Sequence, residues 1–364
     1  MNDTMWLEIQ SQPAALQENL GPLRTSAKNE ALLAQSFKRI FIAGCGDSFI
    51  APFALRQLYQ EYLDVAVEPL PSMEASQYVR FRRDDLLICI SVSGSVKRTV
   101  EAELSARAAG ARVLAITGNR ESRLAQNSDA TLIMPVLSLS RKTPHSVDYL
   151  ITLLALAVVL EILSGHRLEQ LDTIGSVVGD GLRALVKPCT NASPELARCE
   201  HFYLLGAGPH WATAQYGAAK LWEAGGLLAS AIELEEFAHG AHLMVKEGDA
   251  VFVIATEGYS LRRAAEFVTG FAALGARAYV ITDSPGAFKG FSTFAIPSIA
   301  EEWSPFTACL PLQLLCWGIA NSLGLDVISK IGCIPNINVF DGVQGFWTRE
   351  TIEYPRTPCD RYLP

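Results

Sequence analysis

The sequence predicts an α/β protein of two doubly wound domains, each with a five-stranded parallel sheet flanked by helices. Three observations carry this prediction. Short apolar runs alternate with segments of helical periodicity, which is typical of repeated strand and helix units. The pattern lapses before about residue 193 and restarts at His201. The run GARVLAIT at Gly110 returns as GARAYVIT at Gly275, 165 residues later, which indicates that one α/β domain was duplicated.

The chain begins with a segment whose apolar residues recur at helical spacing. We expect residues 1–34 to form an α-helical arm, interrupted at Pro13, that packs on the first domain or on a partner subunit. The first domain is predicted to span residues 35–190, the second domain residues 191–330, and a C-terminal tail residues 331–364.

Ten short runs of apolar or β-branched residues supply the expected strands. In the first copy they are residues 39–44, 64–70, 86–92, 112–118 and 130–136. In the second copy they begin at His201 and continue at residues 229–234, 249–256, 277–283 and 293–298. Between the copies, residues 149–163 predict a long, mostly buried helix that is too short to span a membrane.

Composition points to small-molecule chemistry. With 49% apolar residues in 364 the chain should fold compactly, and a net charge of −8 argues against a nucleic-acid surface. No signal peptide or membrane span is recognised, so we expect a cytoplasmic protein. The eight cysteines form no C-x-x-C pair and the six histidines show no ligand spacing. We therefore expect buried free thiols and no disulfide, metal or cofactor.

Two turns rich in glycine and serine follow predicted strands at their carboxyl ends. One is GCGDS from Gly44, and the other is SVSGS from Ser91. Backbone N–H groups and hydroxyls at this edge of a parallel sheet bind small anions. The second copy has TEGYS from Thr256 instead, where Glu257 would repel an anion. We therefore expect one anion site per chain, with these candidate contacts: Gly46, Ser48, Ser91, Val92, Ser93, Gly94 and Ser95.

Both turns, with the segments TPHSVDY from Thr143, AAKLWE from Ala218 and AHG from Ala238, resemble the sugar isomerase (SIS) domain family. The resemblance is to its tandem-domain enzymes, which include the isomerase half of glucosamine-6-phosphate synthase and the ketosamine-6-phosphate deglycases. It covers roughly residues 35–330 and implies two flavodoxin-like SIS domains. It also implies that the candidate contacts of the first domain cradle a sugar phosphate.

The second turn departs from the family pattern SQSGET, because Val92, Ser95 and Val96 replace the glutamine, glutamate and threonine. Lys97 and Arg98 follow directly and could offset the missing threonine hydroxyl, or they could be solvated residues in the first turn of a helix. The lost hydroxyl also leaves room for a sulfonate at sugar carbon 6, which carries one charge and needs fewer donors than a phosphate.

The resemblance aligns Glu223 with the family's general base, which moves a proton between sugar carbons 1 and 2. Abstracting a proton beside a carbonyl needs a carboxylate whose pKa is raised by an apolar setting, which Leu221 and Trp222 could provide. Lys220, one helical turn before Glu223, matches a lysine of the synthase branch and is a candidate partner of the base or of a sugar hydroxyl.

The resemblance aligns His239 with the residue that opens the sugar ring, which suits an imidazole near neutrality. His242, three positions on, competes for this role. The nearby residues Glu233, Glu235 and Glu236 could be a solvated acidic turn.

Three functions stay open on the sequence. The first is an aldose–ketose isomerase that acts on a six-carbon sugar with an anionic group at carbon 6, a phosphate or alternatively a sulfonate. The second is a ketosamine-6-phosphate deglycase or an amino-sugar-phosphate deaminase, which agrees with the lack of any lysine after Lys330 to form a Schiff base. The third is a non-catalytic sugar-phosphate sensor. We expect a homodimer, and no synthesis of glucosamine 6-phosphate from glutamine, since Asn2 follows Met1 and no glutaminase domain precedes the first sheet.

Overall fold

Two five-stranded, all-parallel sheets organise the computed structural model, which describes residues 4–140 and 143–325. The first sheet has the strand order β2-β1-β3-β4-β5 and consists of β1 (Arg39–Gly44), β2 (Ala66–Pro71), β3 (Asp85–Ile90), β4 (Arg112–Thr117) and β5 (Ala130–Ile133). The second has the order β10-β9-β8-β6-β7 and consists of β6 (His201–Gly206), β7 (Leu228–Glu233), β8 (Ala250–Ile254), β9 (Arg277–Thr282) and β10 (Ser292–Ala295). Both sheets have the same winding, and all ten predicted strands are present, so the predicted fold class is confirmed.

Helices connect the strands and cover both faces of each sheet. They are α1 (Thr4–Lys28), α2 (Asp47–Ala54), α3 (Arg56–Tyr62), α4 (Ser72–Gln77), α5 (Lys97–Ala108), α6 (Arg123–Asn127), α7 (Val147–Ser164), α8 (Gln170–Leu196), α9 (Pro209–Gly225), α10 (Leu234–Phe237), α11 (Leu261–Ala273) and α12 (Pro305–Ser322). α7 is the buried helix predicted between the copies. It is apolar enough to cross a membrane by composition, but 83% of it is buried inside the protein, as in a core helix.

The N-terminal helix α1 runs through Pro13, so the predicted interruption is wrong. A proline inside a helix removes the hydrogen bond to the carbonyl four residues earlier, which here is that of Ile9. The side-chain amide of Gln12 donates to this carbonyl at 2.9 Å and replaces the missing bond. Gln12 is itself fully buried and also donates to Gln313 Oε1 at 2.8 Å. The helix therefore keeps its hydrogen bonding despite the proline.

Contacts divide the chain into two compact units. The first sheet lies in a unit that joins Glu18–Val136 to Ile151–Asp172. The second sheet lies in a unit that joins the described parts of Met1–Gln17, Leu137–Leu150 and Thr173–Cys333. The domain boundaries drawn from the sequence stay predictions, and the predicted tail, residues 331–364, lies outside the described residues.

Among the six cysteines that the structure describes, five are buried free thiols, as predicted. The exception is Cys45, which is exposed in the turn after β1. Burial raises the pKa of Cys89, Cys189 and Cys309, so these thiols are inert packing residues.

Candidate active site

The turn after β1 depends on two glycines. Gly46 precedes α2 with φ 57°, a conformation that favours glycine. A Cβ on Gly44 would lie 2.3 Å from the carbonyl oxygen of Ser48, far inside normal contact distance. This close approach places Ser48 in the first turn of α2, at the carboxyl end of β1.

The turn after β3 is shaped by serine hydroxyls. The Oγ of Ser91 accepts a hydrogen bond from the N–H of Gly94 at 3.1 Å, and the Oγ of Ser93 accepts one from the N–H of Ser95 at 3.3 Å. Gly94 has φ 64°, and a Cβ there would lie 2.0 Å from Ser122 Oγ. A hydroxyl that accepts a hydrogen bond still has its own proton to donate. Ser91 and Ser93 can therefore shape the loop and also bind an oxyanion.

These two turns follow neighbouring strands at the point where the winding of the first sheet reverses. β1 pairs with β3 in parallel register, with Ala43 opposite Cys89, and β2 lies on the other side of β1. In doubly wound sheets, ligands bind in the crevice at this switch point. The topology therefore brings Ser48 and the Ser91–Ser95 turn to the carboxyl ends of adjacent strands.

Lys97 and Arg98 begin α5 directly after this turn, and both face one carboxylate. Lys97 Nζ lies 3.9 Å from Oε1 of Glu101, and Arg98 pairs with its Oε2. Glu101 is almost fully buried, so the two cations offset the cost of burying its charge. The pairing with Glu101 differs from both roles expected for these two residues, which were an anion contact and a solvated helix turn.

Lys220 and Glu223 lie one turn apart on α9 and form a hydrogen-bonded ion pair. Lys220 Nζ donates to Glu223 Oε2 at 2.7 Å. The lysine side chain is fully buried, whereas that of Glu223 is 43% exposed. A buried ammonium thus holds one oxygen of a carboxylate that solvent can reach, which is one of the two contacts expected for Lys220 from the sequence.

Leu221 and Trp222 do not enclose the carboxylate of Glu223, which is 43% exposed. Leu221 is buried, and Trp222 is exposed with its Nε1 donating to the carbonyl of Ala229 at 2.9 Å. Residues one and two positions apart on a helix do not face each other, so neither side chain covers the carboxylate. The ion pair with Lys220 orients it instead.

His239 lies two residues after α10 and is exposed, with its backbone N–H donating to the carbonyl of Glu236 at 3.0 Å. The acidic residues around it are structural rather than merely solvated. Glu233 caps α10, and its Oε2 accepts from the N–H groups of Glu235 and Glu236. Arg263 donates to the carboxylate of Glu235, and this hydrogen bond holds the pKa of Glu235 below its usual range.

His242, the competing histidine, lies in the 3₁₀ turn Ala241–Met244. Its Nδ1 is buried and has no hydrogen-bond partner among the residues that the structure describes. It lines an open cavity of about 380 Å³ whose walls include Phe267 and Phe271. The two histidines thus differ in setting, since His239 is exposed to solvent and His242 faces an apolar cavity.

Two stacked tyrosines beside Lys220 were missed on the sequence. The ring centroids of Tyr149 and Tyr216 are 3.9 Å apart, and Lys220 Nζ lies 5.1 Å from the centroid of Tyr216. Tyr216 precedes Lys220 by four residues, so helical spacing could have found it. Tyr149 lies in the TPHSVDY segment, and nothing in the sequence indicates its partner.

The corresponding loop of the second copy carries negative charge. The N–H of Glu257 donates to Asp283 Oδ1 at 2.8 Å, and Ser284 Oγ donates to Glu257 Oε2 at 3.2 Å. Two carboxylates therefore lie at this switch point, where the first copy has serines.

Comparisons with known proteins agree with this architecture. The SIS domain family matches residues 32–159 and again residues 195–317. A glutamine–fructose-6-phosphate aminotransferase (isomerizing) of Rhizobium meliloti is 25% identical over 347 residues, which is 88% of this chain and 56% of that protein. The chain thus spans little more than half the length of this relative.

Two solved structures share the fold. The C-terminal domain of glucosamine-fructose-6-phosphate aminotransferase from Francisella tularensis matches with a TM-score of 0.80 at 21% identity, over 90% of this chain and 98% of that one. Tagatose-6-phosphate ketose/aldose isomerase from Escherichia coli matches with a TM-score of 0.75 at 20% identity, over 89% of this chain and 94% of that one. At these identities the likeness establishes the tandem α/β fold.

Proposed function

Because this chain belongs to the SIS domain family, we propose that it is an aldose–ketose isomerase for a six-carbon sugar with an anionic group at carbon 6. The observation that carries the proposal is the ion pair between Lys220 and Glu223. Relatives named as aminotransferases and as a ketose/aldose isomerase of 6-phosphosugars support this class of substrate.

Glu223 is the proposed general base. It takes a proton from the sugar carbon beside the carbonyl, which leaves an enediolate, and returns it to the neighbouring carbon. The hydroxyl proton passes from one sugar oxygen to the other in the same sequence, so ketose and aldose interconvert. The carboxylate must be ionised and aimed to do this, and Lys220 holds its Oε2 by a charge-assisted hydrogen bond. His239, exposed to solvent, is proposed to move the proton that opens the sugar ring.

The serine turns of the first copy are proposed to bind the anionic group. The hydroxyls of Ser48, Ser91 and Ser93 and the amide of Val92 are the donors. The N–H of Gly94, which the sequence also offered, already donates to Ser91 within the turn. A phosphate is the first candidate ligand. A sulfonate is the second, because Val96 supplies no hydroxyl to the loop.

Proton exchange followed by NMR in heavy water tests the function. Fructose 6-phosphate, its 6-sulfonate analogue and fructosamine 6-phosphate are offered separately. We expect deuterium at carbon 1 or 2 and an aldose product from the 6-phosphate. Rejection of the sulfonate analogue removes that alternative. Release of amine assigns the chain to a deglycase or deaminase, and no exchange with any of the three rejects the isomerase in favour of a sensor.

Glu223→Gln tests the base. We expect turnover to fall at least about 100-fold while the sugar phosphate still binds, because only proton transfer is lost. Glu266→Gln is the matched control, since Glu266 is 49% exposed and also pairs with a cation three residues away, Arg263. Turnover by Glu223→Gln at the rate of this control contradicts the assignment.

A further inference from the structure

We infer that Tyr216 is a positioning residue for the proposed base, because its ring holds the ammonium of Lys220 against Glu223. The inference rests on the proposed function, since it concerns the same carboxylate. It adds Tyr149 and Gln313 as the residues that fix the ring.

Lys220 carries a positive charge in the protein interior, where its side chain is fully buried. An ammonium removed from water needs favourable electrostatic contacts in its place. The structure supplies Glu223 Oε2 at 2.7 Å and the ring of Tyr216, with the ammonium 5.1 Å from the centroid. That distance lies within the roughly 6 Å over which a cation is attracted to an aromatic face.

The three residues follow one another along α9. Tyr216, Lys220 and Glu223 are separated by four and three residues, so they lie on one stripe of the helix. The buried end of the stripe is aromatic, the middle is cationic and the exposed end is anionic. The lysine is therefore held between a ring and a carboxylate.

The ring of Tyr216 is held in place by contacts at its face and at its hydroxyl. Its face stacks on Tyr149, with an angle of 18° between the rings. Its hydroxyl donates to the carbonyl of His145 at 2.9 Å and accepts from Gln313 Nε2 at 3.0 Å. Gln313 is held in turn, because its Oε1 accepts from Gln12. Contacts at the face and at the hydroxyl thus determine where the ring, and through it the ammonium, must lie.

A matched pair of substitutions separates the ring from the hydroxyl. Tyr216→Leu removes the aromatic face, and we expect kcat to fall about tenfold or more with KM within twofold, because the base is misplaced and the sugar still binds. Tyr216→Phe keeps the face, and we expect it to restore kcat to within about threefold of wild type. Tyr59→Leu is the control. Tyr59 lies in the unit that holds the first sheet, is equally buried and donates to the carbonyl of Leu156 in the same unit, so its loss affects stability and not kcat.

A second measurement does not depend on turnover. In protein labelled with ¹³C at the lysine ε carbon, the Tyr216 ring should shield the Lys220 resonance, which Lys220→Met identifies by its loss. We expect the shielding to vanish in Tyr216→Leu and to persist in Tyr216→Phe. An unshielded resonance in wild type, or Tyr216→Leu with the kcat of wild type, overturns the inference. If wild type isomerises none of the sugars, the proposed function fails, and the shift still decides whether the ring holds the ammonium.

Discussion

The two copies of the α/β domain have the same backbone at their switch points and different side chains there. Gly46 after β1 has φ 57° and ψ −130°, and Gly208 after β6 has φ 56° and ψ −129°. Two residues on, the first copy has Ser48 and the second has His210. The duplicated backbone therefore does not decide function by itself, and the side chains placed on it do.

In the second copy, side chains of the chain itself occupy the switch point. His210 is fully buried, and its Nε2 lies 2.9 Å from Thr256 Oγ1. Thr256 corresponds to Ser91 of the first copy, so the hydroxyl that we propose as an anion ligand in one copy is bound to an imidazole in the other. With Glu257 nearby, this difference supports our proposal of one anion site per chain.

The glycine turn that both copies share predicts the largest effect on stability. A Cβ on Gly44 would lie 2.3 Å from Ser48 O, and one on Gly206 would lie 2.4 Å from His210 O. Because backbone must move in either case, we expect Gly44→Ala and Gly206→Ala each to lower the free energy of unfolding by about 3 kcal/mol. Urea unfolding measures this. Gly286→Ala is the control, since its Cβ would meet no atom within 4 Å. A loss of stability in only one of the two variants would show that the copies do not share this constraint.

His210 predicts a pH dependence that Ser48, at the matching position of the first copy, cannot produce. Burial lowers the pKa of His210 from 6.5 to about 4, and Asp283 opposes the shift only in part. The unfolded chain therefore binds more protons than the folded chain below pH 6.5. We expect the contribution of His210 to stability to be full above that pH and to fall by up to about 3 kcal/mol as the pH drops towards 4.

The free energy of unfolding of His210→Gln, measured across this pH range, isolates the effect. Its slope against pH should be flatter than that of wild type, whatever its absolute stability. His166→Gln, which removes an exposed histidine, should keep the wild-type slope. Equal slopes for wild type and His210→Gln would refute the assignment.

The fold could be predicted because its signals are local. Buried parallel strands are apolar throughout, and glycine turns are contiguous in sequence. The helix α8 was missed although Ile174, Val178, Leu182 and Leu185 recur at helical spacing and are buried. Its glycines and prolines have low helix propensity, which tertiary packing overrides.

In the candidate site, too, only contacts between residues close in sequence could be predicted. The pairing of Lys220 with Glu223 is visible in sequence because both residues lie on one helix turn. The stacking of Tyr216 on Tyr149 and the contact of His210 with Thr256 join distant segments, so no spacing rule reveals them. Gln12 could not be recognised as the residue that repairs the helix at Pro13, because that depends on side-chain direction.

The serines that differ between the copies predict an effect on substrate binding. We expect Ser91→Ala to raise KM for the sugar phosphate about tenfold, because a hydrogen bond to a charged group is lost, while kcat changes little. Thr256→Ala should leave KM unchanged and cost about 1 kcal/mol of stability, because His210 loses a partner. Steady-state kinetics and thermal unfolding of both variants test this. A raised KM in Thr256→Ala would place substrate at the second copy.

The smallest effect on KM is expected for a charged cluster that both copies contain. Lys97, Arg98 and Glu101 of α5 recur 165 residues later as Arg262, Arg263 and Glu266 of α11. In each copy both cations face the same carboxylate. The second copy keeps this cluster beside an acidic loop, so the cluster stabilises the helix whether or not an anion binds.

Lys97→Met and Arg262→Met should therefore behave alike in substrate binding. Each leaves the second cation of its cluster in place, so we expect a KM within twofold of wild type in both variants. The loss of stability should be larger in Lys97→Met, because Glu101 is buried whereas Glu266 is 49% exposed. If Lys97 instead held the anion of the substrate, Lys97→Met would raise KM at least about tenfold and Arg262→Met would not. A KM series at increasing salt separates the two cases further, because a direct contact between lysine and substrate weakens with ionic strength in wild type and not in Lys97→Met.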